Sequence, residues 1–508
     1  MRVWVRIKIR LCFFRRLRLL YFLMKAVKKI NIIVFLIWVS LISFLLYRNY
    51  TGVELRKEQI LSSSFKKDTY WYDIYNGKKK IGFAATSFEK AGDEIIMKHN
   101  RELTVYKQEK ENMLIESLRS LNDSNYAIKS FEFSSKLKDE KGIRVTGELD
   151  KDEMIFFLES SKKRKTHKIT TEGKDFYLTA TIIPVLIQKG LAPNMPTNVS
   201  LLNYIGLSLD NVRVVLEEIR PVKVGINVQS LYKFRVGDSI IWSNEKGIII
   251  KEKYPSGIML YSQVESFAKE YDDRVFFDYT SLPYFKSNRI ISDTKALDLL
   301  RLKIKGFTLD PEIYKKSNIV LDNDILIIHK AGIKELQGTT YKLPYDKSDM
   351  IDYLSPDKWV LSDYKPLEDT GRIYARAHKN DPFLLTKYLN GYLNRLIKTQ
   401  PMFGLSDSKK ILKSLSGDYL EKTVMFATYA RAGGLPTRLV GGLVYLNGYF
   451  YFHTWPEVWL DKWIPADPAF VQFPADVTHI PLKEGTLEDL VSIVDDLRNI
   501  KIEIMEAK

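Results

Sequence analysis

Residues 417–438 read GDYLEKTVMFATYARAGGLPTR and predict a helix that leads directly into a strand. Asp418 is a suitable N-cap, and Glu421, three residues later, completes a capping-box pattern in its Asp variant. Small and apolar side chains follow inside the helix, and two glycines and a proline end it. Tyr419 is therefore the residue that opens this predicted helix.

Strands are predicted after the helix, and one of them carries a histidine. Strict alternation in the sequence YFHTWPEVW places five side chains on one face: Tyr451, His453, Trp455, Glu457 and Trp459. Asp467 follows in WIPADP, at the end of the next strand. A carboxylate there can orient the imidazole of His453. Alone, the pair does not identify a site, because a histidine among aromatic side chains is often a satisfied core residue.

The region from about residue 370 to 485 resembles the transglutaminase-like domains of bacterial proteins. Residues 416–422, SGDYLEK, are similar to the family segment Gly-Asp-Cys-x-Glu-His, and the resemblance continues through the strands that follow. It implies a papain-like fold with a Cys-His-Asp triad. In that triad His453 would be the base and Asp467 its orienting carboxylate.

The sequence departs from this family at the nucleophile. Tyr419 stands where the resemblance places the cysteine, and Lys422 stands where the family commonly has a histidine. A phenol with a pKa of ~10 is un-ionised at neutral pH, and its ring carries the oxygen beyond the place of a thiol sulfur. The only cysteine of the sequence, Cys12, is far from this segment. The sequence therefore predicts a pseudoenzyme.

Several functions stay open at this point. The first is peptide or protein binding, or scaffolding, by an inactive domain with Trp455, Glu457 and Trp459 as candidate binding residues. The second is an active amide-bond hydrolase or acyltransferase with a non-standard nucleophile, which the presence of His453 and Asp467 supports. The third is an envelope assembly protein in which a β-rich region does the binding. No cofactor and no metal are expected, since the six histidines lack metal-ligand spacing.

The segments before this domain predict strands. Asn76-Gly77 separates two alternating runs, which is the strongest short hairpin signal. Similar runs recur, with one helix near 178–189 that Pro184 weakens. An antiparallel β-rich domain is therefore expected. The predicted regions are 1–29, a basic tail; 30–47, a membrane anchor; 66–270, the β-rich domain; 288–345, a small β-domain or extension; 366–485, the transglutaminase-like domain; and 486–508, a C-terminal tail.

The N-terminal sequence predicts a membrane anchor. Residues 30–47 carry no charge and would span ~27 Å as a helix. A cleaved signal peptide and a buried soluble helix are the alternatives, but no small-residue cleavage site follows. The fold class expected is thus α+β: an N-terminal transmembrane helix, an antiparallel β-rich ectodomain and a C-terminal transglutaminase-like domain. Met24 is an alternative start.

Charge distribution gives the expected topology. Residues 1–29 contain ten Lys or Arg and no acid, and subtracting ten from the formal charge of +16 leaves +6 for the rest. The positive-inside rule then places this tail in the cytoplasm and the body on the extracytoplasmic side, periplasmic or at the cell surface. Nucleic-acid binding is not indicated, because the excess charge lies in the tail. The expected partners are the membrane and a peptide or envelope protein.

Overall fold

The computed structural model describes residues 68–107, 110–160, 163–271 and 274–508. Strands take 45% of it and helices 21%. The fold class expected from the sequence, α+β with a transmembrane helix, is therefore corrected to a mostly β protein. The reason is the size of one sheet, whose strands occupy most of the first two hundred described residues. The longer helices, in contrast, are confined to the segment 365–432.

The predicted membrane topology is also corrected. Within the described residues, no helix is both long and apolar enough to cross a bilayer. The basic tail at 1–29 and the span expected at 30–47 lie outside these residues. The prediction of a single-pass membrane protein with an extracytoplasmic body is therefore withdrawn.

One sheet of fifteen strands dominates the described chain, in the order β8-β7-β6-β5-β4-β3-β2-β1-β15-β14-β13-β12-β11-β10-β9. Its pairs are antiparallel except β9 with β10, and the hairpin predicted at Asn76-Gly77 joins β1 to β2. The strands are β1 Asp68–Asn76, β2 Lys79–Ala91, β3 Glu94–Lys107, β4 Lys110–Asn122, β5 Ile128–Leu137, β6 Ile143–Asp150, β7 Glu153–Ser160, β8 Lys163–Thr170, β9 Phe176–Tyr177, β10 Pro196–Asn203, β11 Ser208–Val224, β12 Asn227–Val236, β13 Ser239–Ser243, β14 Ile249–Lys253 and β15 Ile258–Gln263.

This sheet forms a large β-sandwich around one helix, α1 (Thr179–Gln188). Phe88 and Met97 from one half of the sheet share a core with Val214 and Phe234 from the other half, and Ile183 of α1 lies among them. Alternation along each strand turns one face inward, so the apolar side chains of both halves are removed from water together.

The remaining elements belong mainly to the C-terminal half. The helices are α2 Glu265–Ala268, α3 Ile333–Leu336, α4 Lys365–Ala377, α5 Pro382–Leu396, α6 Ser408–Ser414, α7 Tyr419–Ala432 and α8 Leu487–Ser492, with 3₁₀ turns at Tyr279–Ser281, Pro311–Tyr314, Ser348–Tyr353 and Asp496–Asn499. The strands are β16 Tyr284–Lys286, β17 Leu299–Lys305, β18 Ile319–Asp322, β19 Ile325–His329, β20 Lys398–Thr399, β21 Ser416–Gly417, β22 Thr437–Leu446, β23 Tyr449–Trp459, β24 Trp463–Pro465, β25 His479–Glu484 and β26 Lys501–Ala507.

Two further sheets organise these strands. One has the order β16-β23-β22-β25, with β24 paired to β23, and the other has the order β18-β19-β17-β26. Residues 486–508, expected from the sequence to be a tail, therefore supply a helix and a sheet strand. Helix α7 lies at the centre of this half, because every side chain from Tyr419 to Ala430 is buried. It packs on β23, where the Thr423 hydroxyl donates to the Thr454 carbonyl at 3.0 Å.

Candidate functional site

Tyr419 is the first residue of α7, at the helix end that faces β23. The Asp418 backbone N–H donates to Glu421 Oε2 at 2.8 Å, which fixes the start of the helix as the capping pattern predicted. The Tyr419 ring lies 4.8 Å from the His453 ring between centroids. Its side chain is only 3% exposed, and its hydroxyl has no hydrogen-bond partner among the described residues. Burial raises the pKa of this phenol well above 10.

His453, Asp467 and a second histidine meet behind Tyr419. His453 Nε2 lies 2.9 Å from Asp467 Oδ2, and His479 Nε2 lies 3.0 Å from the same oxygen. The other oxygen, Oδ1, accepts the backbone N–H groups of Ala469 and Phe470 at 2.8 and 3.0 Å. The structure thus brings together the two residues named from the sequence and adds His479. Their catalytic roles stay predictions.

A lysine from the β-rich half completes the cluster. Lys223 lies near the end of β11, and its Nζ is 3.0 Å from His453 Nδ1. The same ammonium lies 3.8 Å from the centroid of the Tyr419 ring, a cation–π distance. Lys223 is 230 residues from His453 in sequence, so no local spacing could have indicated it. Its ammonium group therefore contacts both His453 and Tyr419.

The tip of the β11–β12 hairpin delivers this lysine to α7. The Gly225 backbone N–H donates to both carboxylate oxygens of Asp418, each at 3.0 Å. Gly225 has φ +56°, and a Cβ there would lie 3.1 Å from Thr399 Cγ2. Glycine is therefore suited to this turn by conformation and by space. The cavity left between the hairpin and Tyr419 is about 10 Å³, room for at most one water molecule.

The proton positions in the cluster follow from its hydrogen bonds. An ammonium is only a donor, so His453 Nδ1 accepts from Lys223 and its Nε2–H donates to Asp467. Burial, together with the adjacent Lys223 charge, lowers the pKa of His453 to about 3. Burial lowers the pKa of Lys223 to about 8, even though Asp418 and Asp467 favour its charged form. At neutral pH the imidazole of His453 is thus neutral and Lys223 is mostly charged.

His479 differs from His453 in protonation. Burial acts to lower the pKa of His479, but hydrogen bonds to Asp467 and Asp476 outweigh it and raise the pKa to about 10. Burial alone would raise the pKa of Asp467, whereas its contacts with both imidazoles hold that pKa well below its usual range. An imidazolium–carboxylate pair therefore lies behind His453.

Charges of opposite sign face one another in this buried cluster. Lys422, fully buried at the position where the resemblance places a histidine, donates to Thr399 Oγ1 at 2.8 Å. Three cations, Lys223, Lys422 and His479, face three carboxylates, Asp418, Asp467 and Asp476. Glu421 is a fourth carboxyl, and burial raises its pKa to about 7. Pairing of opposite charges is what permits several ionised groups to lie together in a buried site.

The three candidate binding residues are buried and partnered. Trp455 has no exposed surface, and Trp459 is also in the core. Glu457 Oε2 accepts from Arg438 Nη2 at 2.6 Å, and the same guanidinium contacts Glu484. No open cleft therefore reaches these side chains in the described structure, and their role in binding stays a prediction.

A metal would have to compete with this hydrogen bonding. His453, Asp467 and His479 have potential ligand atoms within 4.8 Å of one another. Metal ligation needs neutral imidazoles, but His479 is protonated and Lys223 Nζ lies 3.0 Å from His453. The donor set in this arrangement does not suit a cation.

Comparison with known proteins gives one family match, to part of the chain. The transglutaminase-like superfamily model matches residues 374–468. A search of curated proteins gives no match. A β-barrel-like protein of unknown function from Brucella abortus is 15% identical, with a TM-score of 0.30 over 38% of this chain and 92% of that chain. A cysteine protease-like structure from Cytophaga hutchinsonii is 13% identical, with a TM-score of 0.24 over 43% and 79%.

At these TM-scores neither neighbouring structure defines a function for this chain. The family match, however, covers the helix α7, the strand β23 and the cluster of His453 with Asp467. Residues 374–468 therefore form a transglutaminase-like domain.

Proposed function

We propose that the transglutaminase-like domain is catalytically inactive and serves as a scaffold, and that the protein acts by binding a peptide or protein. The observation that carries this proposal is the position of Lys223, whose Nζ is 3.0 Å from His453 Nδ1 and 3.8 Å from the centre of the Tyr419 ring. A histidine base has to accept a proton from the nucleophile. Here the His453 nitrogen that does not bond to Asp467 already accepts from Lys223.

Tyr419 supports the same proposal. Its hydroxyl has no described partner that could take its proton, and burial raises its pKa well above 10. In a serine hydrolase, removal of the nucleophile lowers turnover by ~10⁶. We expect a loss of comparable size from a phenol that cannot be deprotonated.

The scaffold role rests on the docked hairpin. The domain uses its former cleft to hold β11 and β12 of the β-rich half, through Lys223 and through the bonds of Gly225 to Asp418. Val222 and Leu231 of these strands belong to the same apolar core as α7. A site of this kind fixes one half of the molecule to the other.

Turnover assays test the inactivity. The wild-type chain, His453→Gln and Lys223→Met would be incubated with a glutamine peptide library and a labelled amine, and with the same library alone to detect hydrolysis. We expect no product above buffer from any of the three. Product from the wild-type chain that His453→Gln abolishes would overturn the proposal.

A second candidate function rests on the lysine itself. With a pKa of about 8 beside the neutral His453, Lys223 is an amine that could act as the non-standard nucleophile of an amide-bond hydrolase or acyltransferase. An acyl group found on the peptide that contains Lys223, together with turnover lost in Lys223→Arg, would favour this function. The small cavity beside it, about 10 Å³, disfavours it.

A further inference from the structure

A cavity of about 240 Å³ lies inside the β-rich half, far from Tyr419 in the fold. An engineered apolar cavity of ~150 Å³ already binds benzene, so this one has room for a larger molecule. Most of its wall is apolar and comes from both halves of the sheet. The main apolar residues are Phe88, Met97, Leu118, Leu202, Ile249 and Leu260.

The cavity also has a polar side. Arg101 forms an ion pair with Glu116, and His99 Nδ1 lies 2.8 Å from the Thr86 hydroxyl. The Arg101 side chain is 27% exposed. The apolar wall, in contrast, is buried.

Glu252 is the carboxyl group of the cavity lining that has no ion-pair partner among the described residues. It is 5% exposed, and no Lys or Arg of the described chain forms an ion pair with it. The one guanidinium of the lining, Arg101, is already neutralised by Glu116. Burial raises the pKa of Glu252 to about 7, although the Tyr254 hydroxyl and the Arg101 charge favour its ionised form. The ionised form of a carboxylate in an apolar environment is stabilised most by a cation that binds beside it.

Tyrosine rings surround the same place. Tyr70, Tyr72, Tyr204 and Tyr254 all line the cavity. Aromatic faces next to a carboxylate are the chemistry that receives an ammonium group, by cation–π contact and by ion pairing. An anionic head group would meet Glu252, and Arg101, the one guanidinium of the lining, is already paired with Glu116.

We infer that this cavity binds a small amphipathic amine, with its apolar body among the wall residues and its ammonium group at Glu252 and the tyrosine rings. The inference concerns the β-rich half alone, so it does not depend on the state of the transglutaminase-like site.

Isothermal titration of the full chain with three matched probes tests it: octylamine, octanol and octanoate. We expect octylamine to bind at least tenfold more tightly than the other two. Tightest binding by octanoate, equal affinities for all three, or no binding at all would overturn the inference.

Two variants test whether the ammonium group binds at Glu252. Glu252→Gln keeps the shape of the side chain and is expected to weaken octylamine binding at least tenfold, with octanol unchanged. Glu245→Gln makes the same chemical change on an exposed turn and is expected to have no effect. Unchanged octylamine affinity in Glu252→Gln, with the same melting temperature as the wild-type chain, would contradict the assignment. Should Glu252→Gln fail to fold, the three-probe comparison on the wild-type chain still decides.

Discussion

At the scale of single residues, the site is defined by which group stands at each nitrogen of His453. Nδ1 accepts from Lys223 and Nε2 donates to Asp467. The sequence predicted the pairing of His453 with Asp467, from an alternating strand followed by a carboxylate and from the resemblance of the surrounding segments to a known family. It could not identify Lys223 or His479, which are remote in sequence or lie outside any motif, and only folding brings them to Asp467.

Asp467 is the residue on which the buried charges depend. Asp467→Asn is expected to destabilise the fold by about 3 kcal/mol, since it removes one of the two carboxylates that pair with the buried His479 imidazolium. Asp238→Asn, on an exposed turn, is the matched control and should change the free energy of unfolding by less than about 0.5 kcal/mol. Urea denaturation at pH 7 measures both. Equal effects of the two substitutions would show that the cluster adds no stability.

His479 predicts a pH dependence. Its pKa is raised from 6.5 to about 10 in the folded protein, so its contribution to stability is complete below pH 6.5 and is lost as pH rises toward 10. The free-energy difference between the wild-type chain and His479→Gln should therefore shrink steadily between pH 6.5 and 9. Urea denaturation at four pH values measures this difference. The contributions of the other titrating groups to the free energy of unfolding largely cancel in it. A difference that stays constant across this range would refute the assigned imidazolium.

At the scale of elements, the β11–β12 hairpin is the feature that closes the site. The sequence predicted that this region is β-rich, since alternation and turn residues are local signals. The contact of the hairpin tip with the start of α7 depends on pairing between distant segments. The same is true of β26, whose alternating Ile502 and Ile504 could have been recognised as a strand, but whose pairing with β17 joins residues about two hundred positions apart.

Gly225→Ala tests the docking of the hairpin. Gly225 and Gly77 both have φ near +60°, but an added Cβ meets Thr399 at Gly225 and nothing within 4 Å at Gly77. The backbone strain of about 1 kcal/mol is common to both substitutions. Gly225→Ala should therefore destabilise more than Gly77→Ala, by about a further 1 kcal/mol, because the docked contact must shift. Thermal melts of the two variants measure the difference, and an equal loss would argue against a tightly docked tip.

At the scale of the whole molecule, the β-sandwich and the transglutaminase-like domain contribute side chains to one apolar core. Val222 and Leu231 of the β-rich half pack in the apolar core of the C-terminal half, and Gln263 Nε2 donates to the Phe403 carbonyl at 3.2 Å. The sequence predicted these regions as separate because their patterns differ, but it contained no local signal for the contact between them.

This shared interior predicts cooperative unfolding. Calorimetry of the wild-type chain should give one main transition with matching calorimetric and van't Hoff enthalpies. Asp418→Ala removes the acceptor of the Gly225 N–H and should separate the transition into two. Two well-separated transitions already in the wild-type chain would mean that the halves unfold independently and that the domain does not act as a scaffold.

The most direct measurement of the closed site is the ionisation of His453. In the chain labelled with ¹⁵N-histidine, with His453→Gln used for assignment, Nδ1 should be unprotonated and Nε2 protonated at pH 7, with no titration down to pH 5. In Lys223→Met the pKa of His453 should rise, because the adjacent positive charge is gone. Titration of His453 near pH 6.5 in the wild-type chain, unchanged by Lys223→Met, would contradict the contact of Lys223 with His453.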